Sequence, residues 1–475
     1  MYDVLIIGGG IIGCAVAREL SKYKLDVALL EKEEDVSCGA SKANSGIVHA
    51  GYDAEPNTKK ALFNVLGSKM YPTLASELGV PYKNVGSLVL GDKNGLDKLK
   101  LLLDRGEKNG VSGLEILSRQ KLLEIEPNIA DEVEYGLYAP TAAIVSPYQM
   151  TVALAEQAAI NGVKFELNCK IEKIENKDKF YTVFTDKGKF ETKILVNAAG
   201  YGADKISEMC GGPKIDYIFT RGDYFVLDTV ERKKYNHTCF PLPNEKGKGC
   251  LVSPSADGNV IIGPTAINVS HGDDTATQAE GLNYVKNDTA RITKNINFRN
   301  IIRVFSGVRA IAGDDFIIRL DKNLVTLAGI CSPGLSSAPA IAKHVAEELI
   351  PTTGINLIKK ENFASRYIPP VTREMPKEEW KKLIAVNPAY SKIVCRCEKV
   401  TEGEILDALN SPLKPRSLDA VKRRARAGMG RCQGGFCTSR IMEIINRECG
   451  VPFTKITKKG SGSEIVVCKI KETDK

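Results

Sequence analysis

Short apolar runs near the start of the chain give way to apolar stripes at helical spacing. In "YDVLIIGGGIIGCAVAREL" (2–20) an apolar block meets three glycines and then a 3.6-periodic stretch, which predicts strand, tight turn and helix. "DVALLEKE" (26–33) predicts the next strand and closes a βαβ unit. The stretch 55–130 reads as mainly helical, broken at Gly, Asn and Pro. Helix followed by strand recurs in "VSPYQMTVALAEQAAINGVKFEL" (145–167), and "KILVNAAGYGAD" (193–204) reads as a buried strand ending in a glycine turn. Between 215 and 265, "YFVLD", "GCLVSPS" and "NVIIGPT" read as short alternating strands of an antiparallel sheet. "NLVTLAGICSPGLSSAPAIAKHVAEEL" (323–349) again reads strand, loop, helix.

These elements predict an α/β fold: a Rossmann-type domain assembled from discontinuous segments, about 1–80, 145–215 and 305–350. The insertions at about 81–144 and 216–304 form an antiparallel-sheet cap, so the whole unit runs over 1–365. A proline-rich, charged linker (366–389, containing "RYIPPVTREMPKEEW") leads to a small, helical, cysteine-bearing module at 390–450. The Gly/Ser/Lys-rich tail (451–475) receives no assignment.

Composition narrows the class. The 475 residues are 43% hydrophobic and 26% charged, ordinary for a soluble globular chain. The net charge of +8 is densest after residue 355, and no aromatic-basic stripe points to nucleic acid. An anion pocket on a solvated surface is the expected use of that charge. The longest uncharged stretch, Leu324–Ala342, contains Pro333 and Pro339 and does not read as a membrane span. Peripheral membrane contact is not indicated. Met1-Tyr2-Asp3 lacks a basic leader, and thirteen cysteines without one predict reduced thiols or a metal site in the cytoplasm.

Gly8-x-Gly10-x-x-Gly13 lies between the first strand and helix. The first glycine permits the turn, the second the approach of backbone to a pyrophosphate, and the third close packing of helix on sheet. The helix N-terminus offers amides to the phosphates. Glu31, eighteen residues after Gly13 and at the end of the second strand, suits ribose hydroxyls. The loop alone does not separate FAD from NAD.

"KANSGIVHAGYD" (42–53), "VNAAG" (196–200) and "GICSPGLSSAPAIA" (329–342), with the loop at the start, resemble the flavoprotein family that includes D-amino-acid oxidase, glycine oxidase, FAD-dependent glycerol-3-phosphate dehydrogenase and L-2-hydroxyglutarate oxidase. The resemblance covers about 1–350 and implies FAD. It implies cofactor contacts at Ser41, Asn44, Ser45, Gly46, Gly200, Gly334, Leu335 and Ser336, with the late glycine loop closing over the isoalloxazine.

Of the four histidines, His49 lies in a stretch of small residues that lets it approach a flavin. A base there suits alcohol oxidation, because the hydroxyl proton leaves as hydride moves to the flavin, and an imidazole pKa of about 6.5 fits that role. The alternative is a packed histidine that only holds the cofactor. The family resemblance implies that Arg309, in "SGVRAI", binds the anionic group of a substrate, and a guanidinium forks carboxylate or phosphate. The alternative is a surface ion pair. Lys248 and Arg221 are further candidates for the same charge, and Ser337, beside Ser336, for a hydrogen bond to substrate.

Cys395-x-Cys397, then thirty-four residues, then Cys432-x₄-Cys437, supplies four thiolates for a [2Fe–2S] cluster or for zinc. The spacing and "GMGRCQGGFC" resemble the bacterioferritin-associated-ferredoxin-like module, which implies [2Fe–2S]. "TEGEILDAL" and "LDAVKRRARAGMGRC" read as helices, with Thr401 and Glu404 as a capping box. Arg396, Arg423, Arg424, Arg426 and Arg431 are expected to place positive charge near the sulfurs and raise a cluster's potential.

A flavin takes two electrons together and a cluster carries one, so the fusion suits a dehydrogenase that hands electrons to an acceptor protein subunit or a quinone. The combination resembles the catalytic subunit of the anaerobic glycerol-3-phosphate dehydrogenases. That implies a small anionic hydroxy substrate, sn-glycerol 3-phosphate, oxidised to dihydroxyacetone phosphate. L-2-hydroxyglutarate oxidation, amine or imino-acid oxidation, and a non-catalytic electron-transfer subunit remain alternatives.

Overall fold

The computed structural model describes residues 1–243 and 249–468. Its first layer is a sheet whose parallel part runs Lys164–Glu166, β2 (Val27–Leu30), β1 (Tyr2–Ile7), Gly188–Asn197 and Leu324–Ala328. The strand blocks are apolar throughout because both faces are covered: β2 is buried at every position, and so is Leu324–Ala328. Helix α1 (Ile11–Leu20) is buried at all ten residues. It packs with α2 (Lys59–Leu78), Pro147–Ile160 and Gly334–His344 around one core that includes Val16, Tyr71, Leu154 and Ile341. A hairpin, Ile171–Asn176 with Tyr181–Thr185, extends the first half of the long strand Gly188–Asn197.

The second layer is a nine-stranded sheet, the cap. From the second insertion come Ile218–Leu227, Thr238–Pro241, Leu251–Pro254, Val260–Gly263 and Ile267–Val269. From the first come Ser87–Gly91, Glu115–Ser118 and Tyr135–Ala139, joined to the rest where Ser87–Gly91 pairs with Thr238–Pro241. Two of these three strands interrupt the region read as mainly helical, which also holds α2, Leu96–Lys108 and Arg119–Ile125. "SLVLG" is apolar at both parities because it is buried on both faces, so it carries no alternation to mark it as a strand. Ile301–Ile311 pairs with Ile218–Leu227 along nearly its whole length and belongs to the cap, which moves the cap's edge past residue 304.

The module has its own small core, with Ile405, Val421, Ile441 and Ile445 buried. Thr401 and Glu404 form the expected capping box on Glu402–Leu409. A helix absent from the sequence reading, Thr438–Cys449, completes it. The first part of the tail belongs to the same body: Ile456 is fully buried, and Thr457 and Lys458 carbonyls accept from the Leu418 and Asp419 amides. The linker contains a helix, Lys377–Val386, pinned by Trp380 Nε1 donating to the Tyr390 carbonyl at 2.9 Å. No helix among the described residues is long and apolar enough to cross a membrane.

Candidate active site and cysteine module

The glycine loop joins β1 to α1 with contacts that exclude side chains. A Cβ on Gly13 would lie 2.0 Å from the Gly8 carbonyl oxygen, so helix and strand approach as closely as they do only with glycine there. Gly10 is the N-cap of α1, and the Ile11 amide donates to Ser41 Oγ at 2.8 Å. Ser41 thereby ties the 40s segment to the helix N-terminus. Glu31 accepts the Gly9 amide on Oε2 at 2.6 Å and the Glu33 amide on Oε1 at 2.9 Å. Burial raises its pKa, and these two amides oppose the rise. Each carboxylate oxygen keeps lone-pair capacity for a ribose hydroxyl. Loop, helix end and acid fit the adenosine and pyrophosphate parts of FAD.

The 40s segment is held by its own polar residues. Asn44 donates to the Ala40 and Ser41 carbonyls and accepts the Gly46 amide at 2.9 Å, and the Gly46 carbonyl accepts from the Val145 amide. The segment then enters the short strand Ile47–Val48 and reaches His49. The His49 amide donates to Ser336 Oγ at 2.8 Å, and its Nε2 lies 3.4 Å from Ser332 Oγ in the late glycine loop. Its ring lies 5.9 Å from Phe240 of the cap. Ser336 is fully buried and acts through His49's backbone. The Leu335 carbonyl accepts from Tyr71, and Gly334 opens the helix Gly334–His344. Ser337, read as a substrate contact, is fully buried and donates to the Pro333 carbonyl at 3.1 Å, so its hydroxyl serves its own helix. Gly200 accepts from Tyr217 at 3.1 Å beside the end of Gly188–Asn197.

Register separates the two arginines of the cap. Directly paired residues of the antiparallel ribbon share a face: Thr220 with Arg309, Gly222 with Gly307, and Tyr224 with Phe305. This face lies on the 40s segment, because a Cβ on Gly307 would meet the Ala43 carbonyl oxygen at 2.0 Å. Arg309 therefore faces the flavin segment, and its Nη2 donates to the Thr265 carbonyl at 2.9 Å. Tyr224 is stacked on Phe305 at 4.7 Å, bonds Ser45 and feels the charge of Arg309. The sequence reading missed Tyr224, which looked like one more strand aromatic. Arg221 has the opposite parity. It is 1% exposed, with Nε 3.1 Å from Asp223 and Nη1 3.2 Å from Asp274, and so contributes to a buried ion network rather than to the substrate side. Lys248 lies outside the described residues.

In the module the sulfurs form two pairs, each with one cysteine from each motif. Cys397 and Cys432 Sγ are 3.7 Å apart, and the Cys395 and Cys437 thiols hydrogen-bond each other. Two thiolates on one tetrahedral metal at about 2.3 Å stand about 3.8 Å apart. The Cys397–Cys432 separation matches two thiolates on one metal. Cys395 and Cys437 are each 1% exposed, and Cys397 is at the surface. Cys437 is the N-cap residue of Thr438–Cys449. The bond from Cys437 lowers Cys395 to about 6 against its burial, with the Gly428 and Glu398 amides adding to it, and Cys437 is raised in return.

Three of the arginines expected to bias the cluster are docking residues instead. Arg423 Nη2 meets Asp35 at 2.8 Å, and Arg424 meets Asp35 at 2.8 and 3.1 Å and Glu156 at 2.9 Å. Arg426 reaches Asp257 of the cap at 2.7 Å and Glu398 at 3.1 Å. Ser417 donates to Glu34 at 2.5 Å, Arg431 bonds Asp228, and cap Arg303 donates to Gln433 at 2.7 Å. Their charge is neutralised by buried carboxylates of the flavin domain, the cap and the module itself, and the module is seated on both layers.

Comparison with known proteins supports FAD and a [2Fe–2S] cluster as the cofactors. Residues 3–348 match the FAD dependent oxidoreductase family, and residues 393–447 match the BFD-like [2Fe-2S] binding domain. A glycerol 3-phosphate dehydrogenase of Caloramator mitchellensis is 46% identical over 98% of both chains. A glycerol 3-phosphate oxidase of Mycoplasma genitalium is 36% identical over 77% of this chain and 98% of its own. The solved L-alpha-glycerophosphate oxidase of Mycoplasma pneumoniae, with FAD bound, superposes with a TM-score of 0.74 at 33% identity, covering 78% of this chain and 99% of its own. The chain belongs to the FAD dependent oxidoreductase family and carries a BFD-like [2Fe–2S] binding domain at its C-terminal end.

Proposed function

We propose that this enzyme oxidises sn-glycerol 3-phosphate to dihydroxyacetone phosphate and passes the electrons through its cluster to an acceptor other than dioxygen. The observation that carries the reading is the cysteine module seated by buried ion pairs on the flavin domain. The dehydrogenase relative is covered over the module as well, whereas the oxidase relatives are spanned almost end to end by about three quarters of this chain.

His49 accepts the C2 hydroxyl proton. Its backbone is fixed by Ser336, and Ser332 Oγ lies within reach of Nε2. Arg309 forks the phosphate, held on the flavin-facing side of the ribbon by its bond to Thr265. Bound FAD supplies a hydride acceptor and the [2Fe–2S] cluster a one-electron carrier. Cys395, Cys397, Cys432 and Cys437 hold that cluster as the two pairs described.

The test is anaerobic. Cluster-loaded protein is mixed with sn-glycerol 3-phosphate and, separately, with L-2-hydroxyglutarate, and the visible flavin band is followed. The proposal expects rapid bleaching by the phosphate, and in His49→Gln a flavin that stays bound but bleaches slower by orders of magnitude. Bleaching by the dicarboxylate alone replaces the substrate. Bleaching of His49→Gln at the unaltered rate removes His49 as the base.

A further inference from the structure

The seated module leaves one side of its cysteine site uncovered. Cys395 and Cys437 are buried in the module core, while Cys397 is exposed and Cys432 half-buried. Around that outer pair, the two cysteine loops and the first turn of Thr438–Cys449 place Arg396, Lys399, Arg431 and Arg440 at the surface. The one carboxylate in these stretches, Glu398, is buried and taken up by Arg373 and Arg426. Arg431 is bound to Asp228, and Arg440 touches Glu443 only at 3.9 Å, so Arg396, Lys399 and Arg440 keep a positive rim. Phe436, between the two cysteines of the second motif, is 83% exposed. A large aromatic in water beside a redox site, in loops that carry exposed cations, has the composition of a protein contact: an apolar centre with a charged rim that steers encounter.

We propose that this face, centred on Phe436 and the Cys397–Cys432 pair, is the docking surface for a small acidic one-electron carrier protein. The proposal rests on the reading that electrons leave through the cluster, and it names the place of exit and the charge of the partner. Each alcohol oxidised releases two electrons and two protons. Two oxidised carriers each take one electron at this face, and both protons go to solvent. The carrier's carboxylates meet Arg396, Lys399 and Arg440, and its apolar edge covers Phe436. The ion pairs of Arg424 and Arg426 with Asp35, Glu156 and Asp257 already occupy the module's seat on the flavin domain and the cap, so that surface is closed to a carrier.

The test measures binding rather than turnover. Fully oxidised holoenzyme, without substrate, is titrated at low salt with the soluble domain of cytochrome b5, an acidic haem protein, and with cytochrome c, a basic one. Expected are saturable binding of the acidic protein that weakens steeply with salt, and little binding of the basic one. Arg396→Glu/Arg440→Glu should weaken acidic-carrier binding about tenfold or more and raise that of cytochrome c. Phe436→Ser should raise Kd with an unchanged salt slope. The cluster absorbance of each variant verifies loading, and Arg440→Glu alone serves where the double variant loses its cluster. Equal binding of the two haem proteins, or affinity indifferent to charge reversal, overturns the proposal. Charge-dependent binding to anionic lipid vesicles with no binding of the acidic carrier overturns it in favour of a membrane surface. Because no substrate is present, each result stands apart from the choice of glycerol 3-phosphate.

Discussion

Asp35→Asn keeps the shape of the residue and removes the charge that Arg423 and Arg424 share. Asp35 is 1% exposed, and the side chains of Arg423 and Arg424 are 4% and 6% exposed. Burial pushes the Asp35 carboxyl upward, but Arg424 and then Arg423 outweigh it and hold the group below its ordinary value. Removing one partner of a buried pair costs about 3–5 kcal/mol. Glu156 remains on Arg424 Nε, which places the expected cost at the lower end, about 3 kcal/mol, or roughly a hundredfold in the equilibrium between seated and lifted module. Hydrogen exchange reads this directly. Amides of 417–431 should exchange roughly a hundredfold faster in the variant, while those of β1 and α1 keep their protection. Flavin reduction by substrate should be unchanged, since Asp35 contacts the module and not the substrate side. A depressed carboxyl contributes stability above its unfolded pKa, about 3.9, and loses it as pH falls through the folded value. The wild-type seat should therefore loosen only below about pH 4, and the variant should lack that acid step. Exchange in 417–431 within about threefold of wild type at neutral pH would refute the assignment of the seat to Asp35.

Gly13→Val drives a side chain into the Gly8 carbonyl and should give a protein purified without FAD, read from its visible spectrum. Tyr224→Phe removes the bond to Ser45 and should lower kcat/KM for flavin reduction about tenfold, the effect of losing one hydrogen bond of about 1–1.5 kcal/mol. Cys432→Ser should leave stopped-flow reduction of the flavin intact and slow delivery to the external acceptor. Unchanged acceptor turnover there takes the cluster off the path.

Local chemistry made the glycine loop, Glu31 and the four cysteines legible in the sequence, because each needs a residue type at a fixed offset from its neighbours. Residues whose meaning depends on which side of a strand faces what were not legible in this way. Arg221 and Arg309 look alike in sequence, and only the pairing of Thr220 with Arg309 puts one against the flavin segment and the other in a buried network. The arginines of the module show the same limit. Their run is obvious, but Asp35, Glu156 and Asp257 lie 388, 268 and 169 residues from the guanidiniums they hold, so nothing nearby in the chain shows that the charge is cancelled. The tail's glycines, serines and lysines hid Ile456, which is buried in the module core with Val451 and Val466 packed against it.

The ribbon Ile218–Leu227 and Ile301–Ile311 gives the cap a role beyond covering substrate. Arg303, Phe305, Gly307 and Arg309 share one face, since each is two residues from the next. At one end Arg303 holds Gln433, the residue after Cys432; at the other Arg309 faces the substrate side; between them Gly307 rests on Ala43 and Tyr224 on Ser45. Six steps along the strand, from Arg303 to Arg309, span about 20 Å, so a single rigid element connects the cysteine loop with the arginine proposed to bind substrate. Lifting the cap from the flavin segment must also break Arg431–Asp228, Arg426–Asp257 and Arg303–Gln433. A seated module therefore resists cap opening, and the state in which the cap rests on the flavin segment is also the state in which the module is fixed to both layers.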